Sequence, residues 1–537
     1  MSVGDGIPTE QSRMVSQHVD AVVPRDPKTL RPATRQHRQP LNRRTITPRG
    51  PTPQLSIWQD PPEVARTYLD YARNSLRRRA PDLSAASPAA LWQRSACFIA
   101  PPLMVGALFL NPGMTVAVGL AFVSAIFLLV IVLRWTALWM LVARVVPARV
   151  RPVADADLPT YAVLVPMFRE GAIARDTIAS LARLDYPSDR VEILLVCEAD
   201  DVETLGAIVA VPLPPQFRLV LVPPSEPRTK PKALNYALAT TQAELIVIYD
   251  AEDMPNPSQL RQAAAIFAQR GARLACLQAR LNVYNRQENW LTRQFTIEYT
   301  ALFDGLLPAL RRLGLPLPLG GTSNHFRRAV LLRVGAWDPF NVTEDADLGI
   351  RLDRFGYDID VLRATTFEEA PAEHRAWIKQ RTRWMLGWMQ TVIVHTRRPG
   401  RLVRELGPWR SIGLLLLAVG LIATVLLHPV VYLSLLFQLG HEAPFGSGGS
   451  TFEIAIWTLA GLNFILGVGS AIGVAAAGLA GRGYWRLFLS LPLMPLYWLL
   501  TSYAGWRALL QLAMRRRKKP IMWEKTPHRS RRSSDAI

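Results

Sequence analysis

Two apolar blocks, each long enough to cross a bilayer more than once, bracket a polar middle of roughly 250 residues, and this division constrains the fold. The first block, residues 96–133, is interrupted by Asn111-Pro112-Gly113, a turn signal, so it reads as two antiparallel spans. The second comprises residues 412–439, 452–479 and 487–510. Half of the 537 residues are hydrophobic, too many for one soluble domain and too few for a pure transporter. The presumed spans hold few ionisable side chains and no carboxylate relay, which also argues against a transporter.

The net charge of +20 is concentrated at the ends. Residues 1–95 hold 15 lysines and arginines against 8 acidic residues, and residues 515–537 hold 9 against 2. Basic residues beside spans are retained on the cytoplasmic side and attract anionic lipid. No recognised RNA or DNA module accompanies them, so nucleic acid is not an expected partner. The connector 441–450 lacks lysine and arginine, as expected outside, whereas 481–486 carries two arginines, as expected inside. A third full span in the second block would place the basic tail outside. Pro492 and Pro495 resolve this if they break that segment into a re-entrant or interfacial element. Cys97, Cys197 and Cys276 are scattered, which indicates neither a zinc site nor a disulfide framework.

Residues 1–55 are polar and aperiodic and read as a disordered tail. Residues 61–79 read either as a basic helix at the membrane surface or as a linker. The expected organisation is a tail and linker over 1–90, two spans over 91–135, a polar domain over 150–400, a membrane region over 410–512 and a basic tail over 513–537. Inside the polar domain, runs at 161–168, 191–196, 219–222 and 244–249 have strand length and composition, with helical patterns at 172–184 and 232–240. Alternating strands and helices predict an α/β fold with a largely parallel sheet, whose ligands gather at the carboxyl ends of the strands.

Several chemistry-bearing residues fall at such ends. Asp250, Glu252 and Asp253 close one apolar run, and carboxylates spaced i and i+2 can share Mg²⁺ or Mn²⁺, hard cations that bridge diphosphates. An acidic turn before Pro255 is the plainer alternative. Glu198, Asp200 and Asp201 follow another run, where an acidic side chain can bond a ribose or base edge or simply face solvent. Lys230 and Lys232 open a helical stretch and suit either phosphate or a basic loop. In Thr343-Glu344-Asp345, Asp345 can accept a proton from an attacking hydroxyl, while Thr343 or Asp345 can equally cap a helix. Gln380, Arg383 and Trp384 stand at i, i+3, i+4 and share one helix face, which Trp377 and Trp388 extend. That face suits a sugar beside a diphosphate, or an interfacial Trp/Arg belt.

Together these motifs resemble the family 2 membrane glycosyltransferases, the group of cellulose, hyaluronan and chitin synthases. The resemblance covers residues 159–400 and the flanking spans. Asp250-Ala-Glu252 is similar to the family's D-x-D, with Glu in place of the second Asp. Thr343-Glu344-Asp345 matches its T-E-D, and Gln380, Arg383 and Trp384 match its Q-x-x-R-W. The segment from Gly321-Thr322 to Arg327-Arg328 is similar to its G-T…R-R. The family's D-D-G is absent, and Glu198 or Asp200 stands at that place.

The resemblance implies a GT-A-like, Rossmann-type α/β domain between N- and C-terminal transmembrane helices, in a multi-pass inner-membrane enzyme with a cytosolic catalytic domain. It implies inverting, processive transfer from a UDP-sugar, glucose or N-acetylglucosamine, to a growing β-glycan coupled to export, with membrane lipids and accessory export subunits as partners. Transfer of one sugar to a lipid carrier, or a polybasic membrane scaffold, are the alternatives. Asp345, with Glu344, then carries catalysis, and Asp250, Glu252 and Asp253 hold the metal. Glu198, Asp200, Lys232 and Asp250 bind the nucleotide sugar, and Gln380, Arg383, Trp384 and Thr322 bind the acceptor or diphosphate.

Overall fold

A computed structural model describes residues 57–58, 61–143, 150–440 and 451–514; the two basic tails lie outside them. The chain enters through β1 (Ile57–Trp58) and α1 (Pro62–Arg79). Two long apolar helices follow, α2 (Leu91–Leu110) and α3 (Pro112–Val142). Between them Asn111 caps α3, its Oδ1 accepting from the Met114 N–H at 3.0 Å, so the turn signal in the sequence is a helix junction.

The polar middle then runs β2 (Tyr161–Met167), α4 (Ala174–Leu181), β3 (Val191–Glu198), α5 (Val202–Val209), β4 (Phe217–Val222), α6 (Lys230–Thr240) and β5 (Leu245–Ile248). It continues through β6 (Met254–Pro255), α7 (Gln259–Gln269), β7 (Leu274–Val283), α8 (Trp290–Thr300) and α9 (Leu307–Arg312). After these come β8 (Asn324–Arg327), α10 (Arg328–Arg333), α11 (Glu344–Arg354), β9 (Asp358–Glu368) and α12 (His374–Thr396).

The nine strands among the described residues form one sheet in the order β1-β4-β3-β2-β5-β8-β7-β9-β6. The half from β1 to β5 is parallel, as the alternating pattern requires. The other half is mixed, because β8 runs antiparallel to both β5 and β7 and β6 runs antiparallel to β9. Along β2, Ala162 and Leu164 enter one core and Tyr161, Val163 and Val165 the other. A strand covered on both faces reads as a continuous apolar run, which is why these strands were visible in the sequence. α1 docks on this domain. Its Tyr71, Ala72 and Leu76 are buried, and the Ala72 carbonyl accepts from Asn235 of α6 at 3.0 Å.

The chain closes with α13 (Pro399–Gly440), broken at Gly407 where φ is 78°, α14 (Thr451–Arg482), a 3-10 segment (Trp485–Leu493) and α15 (Met494–Met514). Five helical stretches among the described residues are long and apolar enough to cross a membrane: Leu91–Leu110, Pro112–Val142, Pro399–Leu433, Gly461–Arg482 and Trp485–Met514. The last keeps membrane length despite Pro492 and Pro495, because the 3-10 turns carry the chain past Pro492 into α15.

α12 lies where the two halves meet, packed on α13 and α15 and touching α11. Gly387 of α12 lets the Thr343 loop approach, since a Cβ there would lie 2.3 Å from Thr343 Cγ2. Replacing Gly387 by Ala is therefore expected to cost about 1–3 kcal/mol through overpacking, read as a fall in the melting temperature of the full chain in detergent.

Candidate active site

One cavity of ≈ 1980 Å³ is lined at its domain end by Lys230, Asp250, Glu252, Thr322, Glu344, Asp345, Gln380, Arg383 and Trp384, and continues among α3, α13, α14 and α15. Residues more than a hundred positions apart in sequence thus share one wall. β5 delivers Asp250 at its carboxyl end, the start of α11 delivers Glu344 and Asp345, and one face of α12 delivers Gln380, Arg383 and Trp384.

The turn after β5 separates the three acidic residues that look alike in sequence. Asp250 and Glu252 line the cavity. Asp253 is turned inward and buried, accepting from the Asp250 N–H at 2.8 Å and from the Thr322 hydroxyl. Burial, reinforced by the charges of Asp250 and Glu252, pushes its carboxyl well above the usual range. Among the described residues no three carboxylates, histidines or cysteines converge as a metal-binding group. Two cavity-facing carboxylates do suit Mg²⁺ or Mn²⁺, because such ions take one or two protein carboxylates and complete their shell with substrate phosphate and water.

Lys230, the first residue of α6, reaches into this end. Its ammonium bonds the Asp250 carboxylate and donates to the Gly321 carbonyl at 2.8 Å. Burial works against its charge, but Asp250 and Glu344 outweigh that and hold it above its ordinary value. A Cβ on Gly321 would lie 3.4 Å from Asp345 Oδ2 and 4.0 Å from Lys230 Nζ, so ammonium and carboxylate flank the same glycine.

Asp345 Oδ1 accepts from the Ala346 N–H at 2.8 Å, a local bond at the start of α11 that fixes the carboxylate. Thr343 makes no side-chain cap bond. Burial raises the carboxyl of Asp345, while the Ala346 N–H and Lys230 oppose the rise. Burial and then the Asp345 charge raise Glu344 to about 8. Glu344 is thus largely protonated at neutral pH.

On α12, Gln380 Oε1 is buried and without a hydrogen-bond partner among the described residues, on the cavity wall. Trp388 lines the cavity too, but Trp377, grouped with this face in the sequence, is fully buried and packs edge-on against Tyr497 of α15.

Three further residues expected to bind nucleotide stand apart from the cavity wall. Glu198 and Lys232 are both fully buried and pair at 2.7 Å, with Lys232 also donating to the Ser225 carbonyl. Asp200 is paired with Arg228 at 2.6 Å, whose hydrogen bond holds its carboxyl below the usual range.

Two residues that sequence reasoning passed over organise the site. Arg381 donates to Glu298 and Tyr497 and lies against four aromatic rings, with Trp384 the nearest at 4.4 Å. Asp347, one helical turn into α11, is buried and accepts from Arg351 at 2.9 Å and from His395 Nε2 at 3.0 Å. The Trp377, Arg381 and Trp384 spacing of i, i+4, i+7 was a visible stripe. Nothing local marked Asp347 apart from Asp345.

Residues 159–387 match the family described as Glycosyltransferase like family 2. Over 241 residues the chain is 28% identical to a probable glycosyltransferase YdaM of Bacillus subtilis, covering 44% of this chain and 57% of that protein. It is 28% identical over 283 residues to a beta-monoglucosyldiacylglycerol synthase of Nostoc sp., covering 51% and 59%. The chain thus spans less than two thirds of these relatives' length. A solved mannosyltransferase of Pyrobaculum calidifontis, in complex with GDP-Man and Mn²⁺, aligns with a TM-score of 0.46 and 18% identity over 73% of this chain and 99% of that one. The α/β domain, with its clustered carboxylates and its mixed sheet, carries the match across 159–387 and is similar to family 2 glycosyltransferase domains.

Two outcomes follow from this geometry. Lys232→Met leaves Glu198 buried and unpaired and is expected to cost about 3–5 kcal/mol, whereas Lys232→Met with Glu198→Leu recovers most of that, both read by thermal melting. Glu344 has a folded value above its ordinary one, so the stability it contributes is complete below the ordinary value and lost as pH rises through about 8. The melting temperature of wild type relative to Glu344→Gln should therefore fall between about pH 5 and about pH 8, and a constant difference would refute the assignment.

Proposed function

We propose that this protein transfers a hexosyl group from a UDP-sugar, glucose or N-acetylglucosamine, to an acceptor hydroxyl with inversion at the anomeric carbon. The observation that carries this is the single cavity wall shared by Asp345, the Asp250–Glu252 pair and the Gln380–Arg383–Trp384 face. Asp345 takes the proton of the acceptor hydroxyl as that oxygen attacks the anomeric carbon and the bond to the nucleotide diphosphate breaks. Lys230 and Arg383 offset charge on the diphosphate, and Trp384 offers a ring face to a sugar. Asp250 and Glu252 would hold a divalent cation, whose contribution when bound is Lewis-acid stabilisation of the leaving group.

The acceptor reading supported best is a lipid-borne hydroxyl. The cavity is polar at the carboxylates and largely aliphatic between the long helices, a profile that matches an amphiphile. The Nostoc relative, by its name, makes a glucosyl lipid. Processive extension of a β-glycan with export through the helices is the second reading, favoured by the intact Gln380, Arg383, Trp384 set. In either case the basic tails favour an inner-membrane protein with its α/β domain in the cytosol.

Membranes carrying the protein, supplied with labelled UDP-glucose or UDP-N-acetylglucosamine and Mg²⁺ or Mn²⁺, should incorporate label from one donor, mainly into lipid-extractable product. Asp345→Asn should lower incorporation about a hundredfold or more. Label in long polymer would replace the lipid reading by the processive one. Undiminished incorporation by Asp345→Asn would exclude this residue as the base.

A further inference from the structure

Away from the carboxylates, the cavity becomes a crevice along α3, lined by Val123, Phe127, Val130 and Ile131 and reaching Gly119. A Cβ on Gly119 would meet nothing within 4 Å, so the crevice is open there. Arg134 interrupts this apolar wall. It stands eight residues before the end of α3, about 12 Å along the helix, and Gly119 is about 22 Å farther on. Gly119 to Arg134 thus covers most of the roughly 30 Å hydrocarbon thickness.

A guanidinium inside a membrane-length helix needs an anion or a set of acceptors. Among the described residues Arg134 makes one hydrogen bond, to the Gly467 carbonyl at 3.3 Å, and no ion pair with a carboxylate. A snorkelling arginine would extend toward the helix end, but this one lies on the crevice wall. His428 of α13 faces the same cavity as Arg134. The His428 ring is stacked on Trp498, 5.5 Å between centroids, and on Tyr432 at 5.8 Å. His428 Nδ1 and the Tyr432 hydroxyl have no hydrogen-bond partner among the described residues, and both side chains line the same cavity. A fixed cation with two unsatisfied polar groups, at the mouth of an apolar slot, has the chemistry of a phosphate site with a hydrocarbon tail beside it.

We infer that this crevice binds a phosphate-bearing membrane lipid, its phosphate on Arg134 and its hydrocarbon chain along α3 past Gly119. The binding claim stands without the transfer reading; only the step that makes this lipid the acceptor rests on it. The crevice and the Asp345 end belong to one cavity, so a lipid anchored at Arg134 has its head group on the carboxylate side. A sugar path through the same space would need hydroxyl partners along α3, where the wall between Val123 and Ile131 offers Ser124 alone among polar side chains.

The test is lipid retention by the purified full chain in nonionic detergent, read by native mass spectrometry, with UDP binding measured in parallel as a control for the folded domain. The probes are phosphatidylglycerol, a long-chain polyprenyl phosphate and dioleoylglycerol, the last lacking phosphate. Wild type should retain a phosphate lipid about tenfold or more over dioleoylglycerol. Arg134→Gln should abolish that preference and Arg134→Lys keep most of it, with UDP binding unchanged. Gly119→Trp should weaken all three lipids, and His428→Phe should reduce the phosphate preference even if Arg134→Gln fails to fold. Stronger retention of the polyprenyl phosphate identifies a carrier lipid, and equal retention of both identifies bulk phospholipid; each supports the site. Equal retention of all three by wild type, or a preference that survives in Arg134→Gln, overturns it. Loss of transfer with lipid retention intact counts against the transfer reading and not against this site.

Discussion

A buried guanidinium holds the two halves of this protein together. Arg381 lies 4.4–5.8 Å from the ring centroids of Trp384, Phe295, Trp377 and Tyr497. Its hydrogen bonds go to Glu298 of α8 and Tyr497 of α15, and Tyr497 in turn donates to Glu298 at 2.8 Å. Burying a charge is costly unless it is paired and its donors are satisfied. Here the cost is offset by an opposite charge, a phenol and four ring faces, and Glu298 leads the effects that hold the guanidinium above its ordinary value against burial. The result is directional. Arg381 can satisfy itself only when the α/β domain, α12 and α15 are all in place, and Trp384 takes its position from the same cation.

The same logic recurs one helix away. Asp347 receives Arg351 and His395, and Arg351 also donates to the Val334 and Ala336 carbonyls. Arg354 continues the chain from His395 Nδ1 to Glu405 of α13. Burial keeps His395 low, so the neutral ring donates from Nε2 to Asp347 and accepts at Nδ1 from Arg354. This network pins the first turn of α11 to α12 and α13, and Asp345 sits two residues before its anchor. A carboxylate on a loop would wander. A carboxylate at the head of a helix fixed by a buried ion pair keeps its position.

How much of this could be read in advance depended on whether the signal was local. β2 to β5 were legible because both faces are covered and each strand is a run of apolar side chains. β7 carries Gln278, Arg280 and Asn282 within its ten residues, and Gln278 is satisfied by the Ala279 and Thr322 carbonyls. These polar residues alternate with Ala279, Leu281 and Val283, a period-2 signal that a reading based on continuous apolar runs passes over. The motif residues Asp250, Glu344, Asp345, Gln380, Arg383 and Trp384 could be named from sequence, and the structure gathers them on one wall. The direction of Asp253 could not, because a turn decides which of three neighbouring carboxylates faces in. The pairing of Lys232 with Glu198, and of Lys230 with Asp250, likewise depends on which side of α6 meets the sheet. α1 was ambiguous for a related reason: its arginines suggest lipid, while the small set Tyr71, Ala72 and Leu76 that docks it is visible only against Asn235 and Gly335.

Charge balance explains why these particular groups stand together. The domain end of the cavity gathers the carboxyls of Asp250, Glu252, Glu344 and Asp345 around Lys230 and Arg383. If all four carboxyls were ionised, a diphosphate would enter a site already in negative surplus, at a large electrostatic cost. Two features lower that cost. Glu344, raised to about 8 by burial and the Asp345 charge, gives up its own charge at neutral pH. Burial holds the Asp253 carboxyl well above the carboxylate range inside the turn, where it shapes the site through its hydrogen bonds with the Asp250 N–H and the Thr322 hydroxyl. The carboxylates that remain, Asp250 and Glu252, then suit a divalent cation that a diphosphate would share, and Lys230 already stands against one of them. Burial therefore does more than stabilise this end of the fold. It sets chemically similar acids apart, with Asp250, Glu252, Glu344 and Asp345 on the cavity and Asp253 inside the turn, and that division follows from which side chains the turn after β5 and the head of α11 turn toward the cavity.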